Sequence, residues 1–580
     1  MKAFISLFIA LLSILILANY LYAGETKTYT FFSQTQHPLK VYYLQGDEPG
    51  PTVMIQAGIQ GDETTGFYTA QLLTNADLQK GNLIIVPRAN IPAILKGKRL
   101  INVDLNRRFD QRYSRFYEDI LARAIRFLIK QSDAFIHLHE GSGFYHPKYI
   151  NSLRNPDRWG QSFIIDSAVY KDEVHLAKHV RKTLPRVNSK IVPAQYRFEL
   201  FNTKTASPDT EHPEQRKSLT YYALNTLEIP AMAIEVSKNI TNKPLKLRHQ
   251  LMATQKLLKQ LEVDFSLPSY SKKELSNMFD KKKALNTRLQ TNKSSYPPGK
   301  TVEVSNTSKI MGISSQNASS SKFSPESGVF LDEFPKLNLL ACDYVPRNPS
   351  SKLTFSSDGK IKAKWPVENT NQKAINFFQD PVFLLSLNGE LKFVSAGEEI
   401  IARQGDRLIL LGIYNGGEEE ILNLKGYVSN PRNNRGQDKG HEIILNRKFF
   451  ISRYLDLKSD SDIWKFNVVR ETADKKRVKF SVKVLPRKIR GIKLSTSDDR
   501  SILLPFENEQ TYHLPKGEYQ LEDILGTGKN SLFLPMVDGA PLHMGENFSL
   551  SRNRSKNLDI YNANSFQKLG EVVLSSNKYN

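Results

Sequence analysis

Residues 53–63 read VMIQAGIQGDE and decide the fold of the N-terminal half of the chain. The run from Thr52 to Ala57 is short and apolar, so it predicts a buried β-strand rather than a helix. Gly58 and Gly61 then permit a tight turn, and a helix is predicted to begin at Glu63. This strand, turn and helix are typical of an α/β sheet, in which ligands bind beyond the carboxyl ends of the strands.

Two polar side chains, Gln60 and Glu63, are placed at that strand end. A pair three residues apart at a helix start can direct both side-chain oxygens at one point, and the helix dipole favours a carboxylate there. Taken alone, the pair is more typical of a loop glutamine and a first-turn acid. The metal-ligand interpretation therefore needs a second element.

A second apolar strand supplies it. Residues 134–141 read AFIHLHEG, so His139 also lies at the end of a strand, while His137 is predicted to be a structural residue deeper on the same face. A neutral imidazole, a carboxylate and an amide oxygen, with one position left for water, would form an open metal site of the catalytic type.

A third stretch, residues 99–109, reads RLINVDLNRRF and has no helical periodicity. Arg99 and Arg107 flank Asn106 in it. An arginine fork matches a carboxylate with two parallel hydrogen bonds, and asparagine adds a directional donor. The segment therefore predicts a carboxylate-binding loop, although a simple basic loop is an alternative interpretation.

Glu235 lies at the end of a fourth apolar strand, within residues 230–238, which read PAMAIEVSK. A charged side chain at the end of a buried strand costs desolvation unless it has a partner or a function. Beside a water held by a metal, a glutamate in this position would serve as a general base.

Together these residues resemble the zinc carboxypeptidase family of the carboxypeptidase A clan, which includes the succinylglutamate desuccinylases. Gln60 replaces the first histidine ligand of most members, and in this the sequence is similar to bacterial cell-shape murein DL-carboxypeptidases. The resemblance implies one Zn²⁺ in the catalytic domain held by Gln60, Glu63 and His139, a carboxylate clamp of Asn106 and Arg107, Glu235 as the base, Arg99 as a catalytic and substrate contact, and Trp159 and Thr220 lining a diaminopimelate pocket.

The resemblance also implies a substrate. Enzymes of this kind trim peptidoglycan stem peptides, removing the terminal meso-diaminopimelate of a tripeptide to leave a dipeptide. Two alternatives stay open. The domain could be a metal-free pseudoenzyme that still binds murein peptides, or a deacylase or amidase of the same fold acting on another acyl amino acid.

The composition limits the possible partners. The 580 residues carry a formal net charge of +22, but the basic residues are scattered and no nucleic-acid motif is present, so nucleic acid is not expected as a partner. A basic exported protein would meet anionic glycan and peptide carboxylates instead. The single cysteine, Cys342, forbids an internal disulfide and is expected to be buried.

The N-terminus predicts export. Residues 1–23 have the charge and apolar run of a secretory signal peptide, with cleavage expected after Ala23, which places the protein in the periplasm without a membrane span. An uncleaved anchor is the alternative, because the apolar run is nearly the length of about 20 residues that crosses a bilayer.

The predicted fold class is α/β, a zinc-carboxypeptidase-like mixed sheet with flanking helices, followed by C-terminal β-sandwich or barrel modules. Other cell-wall proteins are possible partners of these modules. The predicted divisions are a catalytic domain (24–265), a flexible basic linker rich in Ser and Asn (266–328), a small β module (329–395), an immunoglobulin-like module (396–488) and a β-rich region (489–580).

Overall fold

The structure is a computed structural model that describes most of the chain. The described residues are 26–279, 287–305, 307–315, 326–346, 352–369, 380–415, 421–428, 436–457, 462–471 and 477–576. The predicted signal peptide, residues 1–23, lies outside these ranges. Within them, no helix is both long enough and apolar enough to cross a membrane.

A nine-stranded mixed sheet forms the N-terminal domain, with spatial order β1-β2-β4-β3-β5-β10-β8-β9 and β11 added beside β4. Its central neighbours β3, β5 and β10 run parallel to one another. The strands of this part of the chain are β1 (Thr26–Phe31), β2 (Leu39–Gln45), β3 (Glu48–Gln56), β4 (Asp77–Val86), β5 (Ala134–Gly141), the short pair β6 (Phe144–Tyr145) and β7 (Arg154–Asn155), β8 (Ser162–Ile165), β9 (Glu199–Asn202), β10 (Ala231–Ser237) and β11 (Asp264–Ser266).

Helices cover both faces of this sheet. They are α1 (Thr64–Leu73), α2 (Ile91–Lys96), α3 (Tyr117–Ile129), α4 (Leu176–Asn188), α5 (Leu219–Leu227), α6 (Lys243–Gln260) and α7 (Lys272–Asn277). Alternate residues of β3 enter opposite cores, because successive side chains of a strand point to opposite faces. Val53 and Ile55 pack with α1, α4 and α6, whereas Met54 packs with α3. The predicted α/β class with a mixed sheet and flanking helices is confirmed.

The stretch predicted as a flexible linker, residues 266–328, differs from that prediction. It holds α7 and the strands β12 (Thr287–Thr291), β13 (Ser295–Tyr296), β14 (Val302–Val304) and β15 (Ile310–Ser315). Leu289, Val302 and Ile310 are buried in one core with Trp365. The polar composition hid these strands, because their few apolar residues pack against a partner strand that comes much later in the chain.

That partner belongs to a four-stranded sheet of order β14-β18-β17-β16. Its remaining strands are β16 (Ser327–Leu331), β17 (Lys352–Ser357) and β18 (Lys360–Asn369). Cys342 is buried beside this sheet, as the sequence predicts. Since β14 pairs with β18 in parallel, part of the predicted linker belongs to the small β module.

Residues 382–485 form two sheets that share a core through Phe383 and Phe480, whose rings are 4.8 Å apart. The strands are β19 (Val382–Leu387), β20 (Glu390–Ser395), β21 (Glu399–Arg403), β22 (Arg407–Tyr414), β23 (Ile421–Leu424), β24 (Glu442–Ile444), β25 (Asp456–Leu457), β26 (Trp464–Glu471) and β27 (Val478–Leu485). The division predicted between residues 395 and 396 separates β19 and β20 from β22, with which β19 pairs. This β-sandwich therefore begins at β19.

A second pair of sheets follows between residues 489 and 575, and it shares one core. Its strands are β28 (Ile489–Thr496), β29 (Ser501–Pro505), β30 (Gln510–His513), β31 (Gly517–Gly526), β32 (Phe533–Val537), β33 (Ala540–Pro541), β34 (Asn547–Leu550), β35 (Ser555–Asn562) and β36 (Lys568–Ser575). The predicted β-rich C-terminal region is confirmed.

The β modules pack directly on the N-terminal domain. One hydrophobic core contains Phe31 and Ile120 together with Phe480 and Phe566. Polar contacts also join the parts. Nε2 of Gln36 donates to the main-chain carbonyl oxygens of Asn338 and Ala341. Nη2 of Arg123 donates to the main-chain carbonyl oxygen of Ser565. The contact face of the N-terminal domain thus includes the α3 side of its sheet.

Candidate active site

The candidate site lies at the carboxyl ends of the three central parallel strands. In the register of β3 and β5, Gln56 lies beside His137, and in that of β5 and β10, His139 lies beside Glu235. This pairing places the turn after β3 next to the end of β5. It also places the predicted base on the strand adjacent to the predicted histidine ligand.

Glycine is required in the turn that leads from β3 to α1. A Cβ atom on Gly61 would lie 2.1 Å from the carbonyl carbon of Ala93, so any side chain there would collide with backbone. Gly58 has a positive φ of 64°, which glycine adopts without steric cost. The turn is therefore drawn close against α2, and it ends at Glu63, the N-cap residue of α1.

The Glu63 and His139 side chains meet in the structure. Nδ1 of His139 lies 2.8 Å from Oε2 of Glu63, and both side chains are at least nine-tenths buried. Burial acts to lower the pKa of His139, but the Glu63 carboxylate outweighs it, so the pKa lies above its usual value. Ligand atoms about 2.0–2.2 Å from a tetrahedral zinc ion lie about 3.3–3.6 Å from each other, so this hydrogen-bonded pair lies within about 1 Å of a ligand arrangement.

Glu235 completes a buried trio with them. Burial raises its pKa to about 7; the His139 charge opposes this effect and the Glu63 carboxylate reinforces it. Among the described residues, its Oε2 has no hydrogen-bond partner. A Cβ atom on Gly141 would lie 2.9 Å from that oxygen and 2.6 Å from Cα of Gly160. The two glycines thus leave room at an oxygen that none of the described protein groups satisfies.

Gln60 is buried in the same turn, at 3% exposure. Its main-chain carbonyl oxygen accepts a hydrogen bond of 3.4 Å from N–H of Glu63. Within the described ranges, no group of three His, Cys, Asp or Glu side chains could hold a metal ion. The predicted ligand set has a glutamine as its third member, so it is not such a group. Nδ1 of His139 and Oε2 of Glu63, two acceptor atoms that lie 2.8 Å apart, fit a cation.

The arginine-rich segment lies near this trio. Arg99 forms an ion pair of 2.8 Å with Asp104. Its positive charge acts to lower the pKa of His139. Asp104 also accepts a hydrogen bond from N–H of Asn106, at the start of a 3₁₀ turn at Leu105–Arg107. Burial lowers the pKa of Arg107, and the carboxylate of Asp104 partly opposes this lowering. One short turn thus presents an amide and a guanidinium together.

Asn106 has a fixed orientation, because its Oδ1 accepts a hydrogen bond of 3.1 Å from N–H of Leu219 at the start of α5. Its side chain is 7% exposed. With the carbonyl oxygen used in this way, the Nδ2 group is the part of the amide that can donate to a ligand.

The two predicted pocket residues have different surroundings. The Trp159 ring stacks between Tyr145 and Phe201, at centroid distances of 3.9 and 4.4 Å. Burial raises the pKa of the Asp166 carboxyl group. The Thr220 hydroxyl forms a hydrogen bond to this group, which partly opposes that rise. Trp159 thus lies in an aromatic stack, and Thr220 in a polar network at the start of α5.

A supporting network behind the site was not predicted from the sequence. Glu140 accepts hydrogen bonds from N–H of Thr65 at 2.5 Å and from Nζ of Lys246 at 2.6 Å. Nε2 of Gln250 donates to the carbonyl oxygen of His139 at 2.9 Å. Thr65 lies two residues after Glu63, and His139 is itself a candidate ligand, so Lys246 and Gln250 of α6 support the backbone at both ligands. The sequence feature that could have indicated this network is Glu140 itself, a second charged residue at the end of an apolar strand.

A comparison with protein families matches the part of the chain that contains the candidate site. Residues 29–273 match the family model described as the catalytic part of a carboxypeptidase controlling helical cell shape. The resemblance to zinc carboxypeptidases that the sequence predicts is confirmed over this part of the chain. No curated protein sequence matches the chain significantly.

Solved structures give weaker similarities. The product-bound cell shape determinant Csd4 of Helicobacter pylori is 21% identical, with a TM-score of 0.43, over 75% of this chain and 96% of that one. The mDAP-bound form of Csd4, a D,L-carboxypeptidase, is 22% identical over 75% and 97%, with a TM-score of 0.42. A succinylglutamate desuccinylase/aspartoacylase of Rhodobacter sphaeroides is 17% identical over 42% and 68%, with a TM-score of 0.29.

Proposed function

We propose that the protein is an exported zinc metallocarboxypeptidase of the peptidoglycan, because residues 29–273 match the family model described as the catalytic part of a carboxypeptidase controlling helical cell shape. Its proposed reaction removes the terminal meso-diaminopimelate from a stem tripeptide and leaves a dipeptide. The protein is proposed to act in the periplasm after cleavage of its signal peptide behind Ala23.

One observation carries the proposal. Glu235 is a partly buried acid beside His139 and Glu63, and its buried Oε2 is left without a hydrogen-bond partner among the described residues. An uncompensated buried carboxylate is costly, so a position that keeps one is a candidate for proton transfer. A pseudoenzyme that only binds peptides would gain stability by replacing it.

Gln60, Glu63 and His139 are the residues that would hold the metal. When bound there, a zinc ion supplies Lewis-acid chemistry, because it polarises a carbonyl group and acidifies water. Their burial and the 2.8 Å approach of Glu63 to His139 support this assignment.

The chain's own groups perform the proton transfers and offset the developing charge. Glu235 accepts a proton from the attacking water and returns it to the nitrogen of the leaving amino acid, so that it ends the cycle ionised as it began. Its raised pKa, about 7, suits a group that must both accept and donate near neutral pH. Arg99 faces the oxygen that becomes negative when the carbonyl is attacked.

The clamp defines the enzyme as an exopeptidase. Arg107 and Nδ2 of Asn106 bind the terminal carboxylate, which only the last residue of a peptide provides. The bond that is cleaved is therefore the last one in the chain. Trp159 and Thr220 are proposed to border the diaminopimelate side chain, the one with an apolar face and the other with a hydroxyl.

Digestion of purified murein tests the function. The zinc-loaded protein is incubated with murein rich in stem tripeptides, and the products are separated by chromatography and identified by mass. We expect free diaminopimelate and dipeptide stems in equal amounts, and neither after chelation of the metal. Protein that holds zinc but releases no diaminopimelate would contradict the proposed substrate, and the release of an amino acid from acyl amino acids instead would identify a deacylase.

A further inference from the structure

One cavity lies away from the candidate active site, between the N-terminal domain and the β modules. Its volume is about 310 Å³. That is within the range of about 300–1,000 Å³ typical of small-molecule sites. Its walls come from the segments around α2 and α3 and from residues 330–338 and 427–449 of the β modules. It is formed only when the two parts are packed together.

Most of the wall is apolar. The buried side chains at the cavity are Leu95, Phe116, Ile120, Phe330, Ile444 and Phe449. An apolar cavity of this size costs stability in proportion to its volume when it is empty. A ligand with an apolar body would remove that cost by restoring contacts with these residues.

The edge of the cavity is cationic. Lys96, Lys98, Arg115 and Lys336 all border it, and the last three are exposed. Glu442 is the acid among the bordering residues, and its side chain is 6% exposed, deep in the wall. Four cations around one mouth favour a ligand whose outer end is negative.

The inner wall contains a second polar feature. His37 borders the cavity at 2% exposure, and its Nε2 has no hydrogen-bond partner among the described residues. Its Nδ1 lies 3.6 Å from Oε1 of Glu442, which also accepts a hydrogen bond from N–H of Gln36. A buried nitrogen left unsatisfied in the wall shows that no described protein group fills this part of the cavity.

We propose that this cavity binds a small amphiphilic monoanion, with its apolar body between the two parts and its anionic head at the lysine and arginine edge. Aliphatic carboxylates of medium length have this chemistry. Neutral and cationic analogues of the same length lack the head that the edge selects.

A ligand in this cavity would contact the chain segment that leads to Arg99 of the candidate active site. Leu100, Ile101 and Asn102 border the cavity and directly follow Arg99 in the chain. Asn102 is held from the other side, where its N–H donates to Oε1 of Glu118 at 2.9 Å and its Nδ2 to Oε2 at 3.1 Å. A ligand that contacts residues 100–102 therefore also restrains the segment that carries Arg99.

The test measures binding, so its outcome is independent of the proposed enzyme activity. The full protein is titrated with octanoate, octan-1-ol and octylammonium in turn, and binding is followed by calorimetry and by the melting temperature. We expect octanoate to bind saturably with a Kd below about 1 mM, octan-1-ol more weakly and octylammonium not at all. Absence of octanoate binding, or equal binding of octylammonium, would overturn the proposal.

Variants locate the site. Lys98→Glu should weaken octanoate about tenfold and leave octan-1-ol unchanged, whereas Lys178→Glu, the same change on the exposed face of α4, should alter neither. Ile120→Phe and Leu95→Phe add bulk to two different helices of the cavity wall and should each abolish binding. Retention of octanoate binding by either filled variant that melts cooperatively would show that the ligand binds elsewhere.

Discussion

Glu235 of β10 lies directly beside His139 of β5 in a parallel register, so an acid and an imidazole face the same crevice from neighbouring strands. Residues paired in this way point to the same side of the sheet; His139 is buried and Glu235 is partly buried. The relationship is independent of any ligand. It is the part of the candidate site that the backbone itself fixes.

Glu235→Gln should abolish turnover without unfolding the protein. The amide keeps the size of the carboxylate but cannot take the proton from water, and a loss of about 10²–10⁴-fold in kcat is expected for a general base. The melting temperature should stay the same or rise, because a buried carboxylate is costly. Hydrolysis of a murein tripeptide and thermal melting measure the two effects. Glu228→Gln, a change of the same type at an exposed acid, is the matched control.

His139→Ala and Glu63→Ala should each lose the metal. Both remove one of the side chains that meet at 2.8 Å, and two protein ligands hold zinc poorly. Metal content by mass spectrometry should fall from about one equivalent of zinc to less than a tenth of that. His146→Ala, whose ring lies outside this buried trio and bonds to the carbonyl oxygen of Lys148, should keep its zinc. Full zinc content in either ligand variant would contradict the assignment.

Asn106→Asp should raise KM by about 10–100-fold and leave the fold intact. An aspartate keeps the oxygen that accepts from N–H of Leu219, but it places a negative charge where the substrate carboxylate is proposed to bind. Steady-state kinetics on tripeptide separates KM from kcat. The control is Asn225→Asp, an exposed site whose Oδ1 likewise accepts a hydrogen bond. An unchanged KM in Asn106→Asp would remove Asn106 from the clamp.

Lys246→Met should destabilise the protein by about 3–5 kcal/mol, because it leaves the buried Glu140 carboxylate without its cation. Zinc affinity should also fall, about 10–100-fold, since Glu140 positions the start of α1 next to Glu63. Adding Glu140→Gln removes the unpaired charge and should recover most of the stability. Chemical denaturation and zinc competition measure the two effects. A double variant no more stable than Lys246→Met would show that the charge pair is not the cause.

The unfolding equilibrium should depend on pH through Glu118. Burial raises the pKa of this carboxyl group to about 7 in the folded protein, against 4.5 as the ordinary value. Between these values the unfolded chain ionises while the folded protein stays neutral, so this group's contribution to stability falls as pH rises from about 4.5 to about 7.

The Glu118→Gln variant isolates that contribution. Its stability relative to the wild type should improve by at most about 3 kcal/mol between pH 5 and 8, read from melting temperatures at matched ionic strength. Glu173→Gln, at an exposed acid, should give no such trend. A constant difference between Glu118→Gln and the wild type across this range would show that Glu118 titrates as an ordinary acid.

The positions of Gln60, Glu63, His139 and Glu235 could be predicted from the sequence because each of them stands at the end of an apolar strand. The strand before Gln60 and Glu63, the strand ending at His139 and the strand ending at Glu235 all have local signals. Parallel strands bring their carboxyl ends to one edge of the sheet, so strand ends far apart in the sequence become neighbours.

The supporting network and the module boundaries could not be predicted in this way. Glu140 meets Lys246, which lies 106 residues later, and no local pattern identifies a partner at such a distance. The strands between residues 287 and 315 carry few apolar residues and are completed by β18 and Trp365.

The amino-acid sequence by itself therefore determined the type of each central element and the side chains at its end, because periodicity and glycine positions act within a few residues. The tertiary structure alone decided which strand ends are adjacent, which buried charges are paired and where a cavity remains between the parts. Those outcomes depend on contacts between distant segments, whose free energies appear only when the chain has packed.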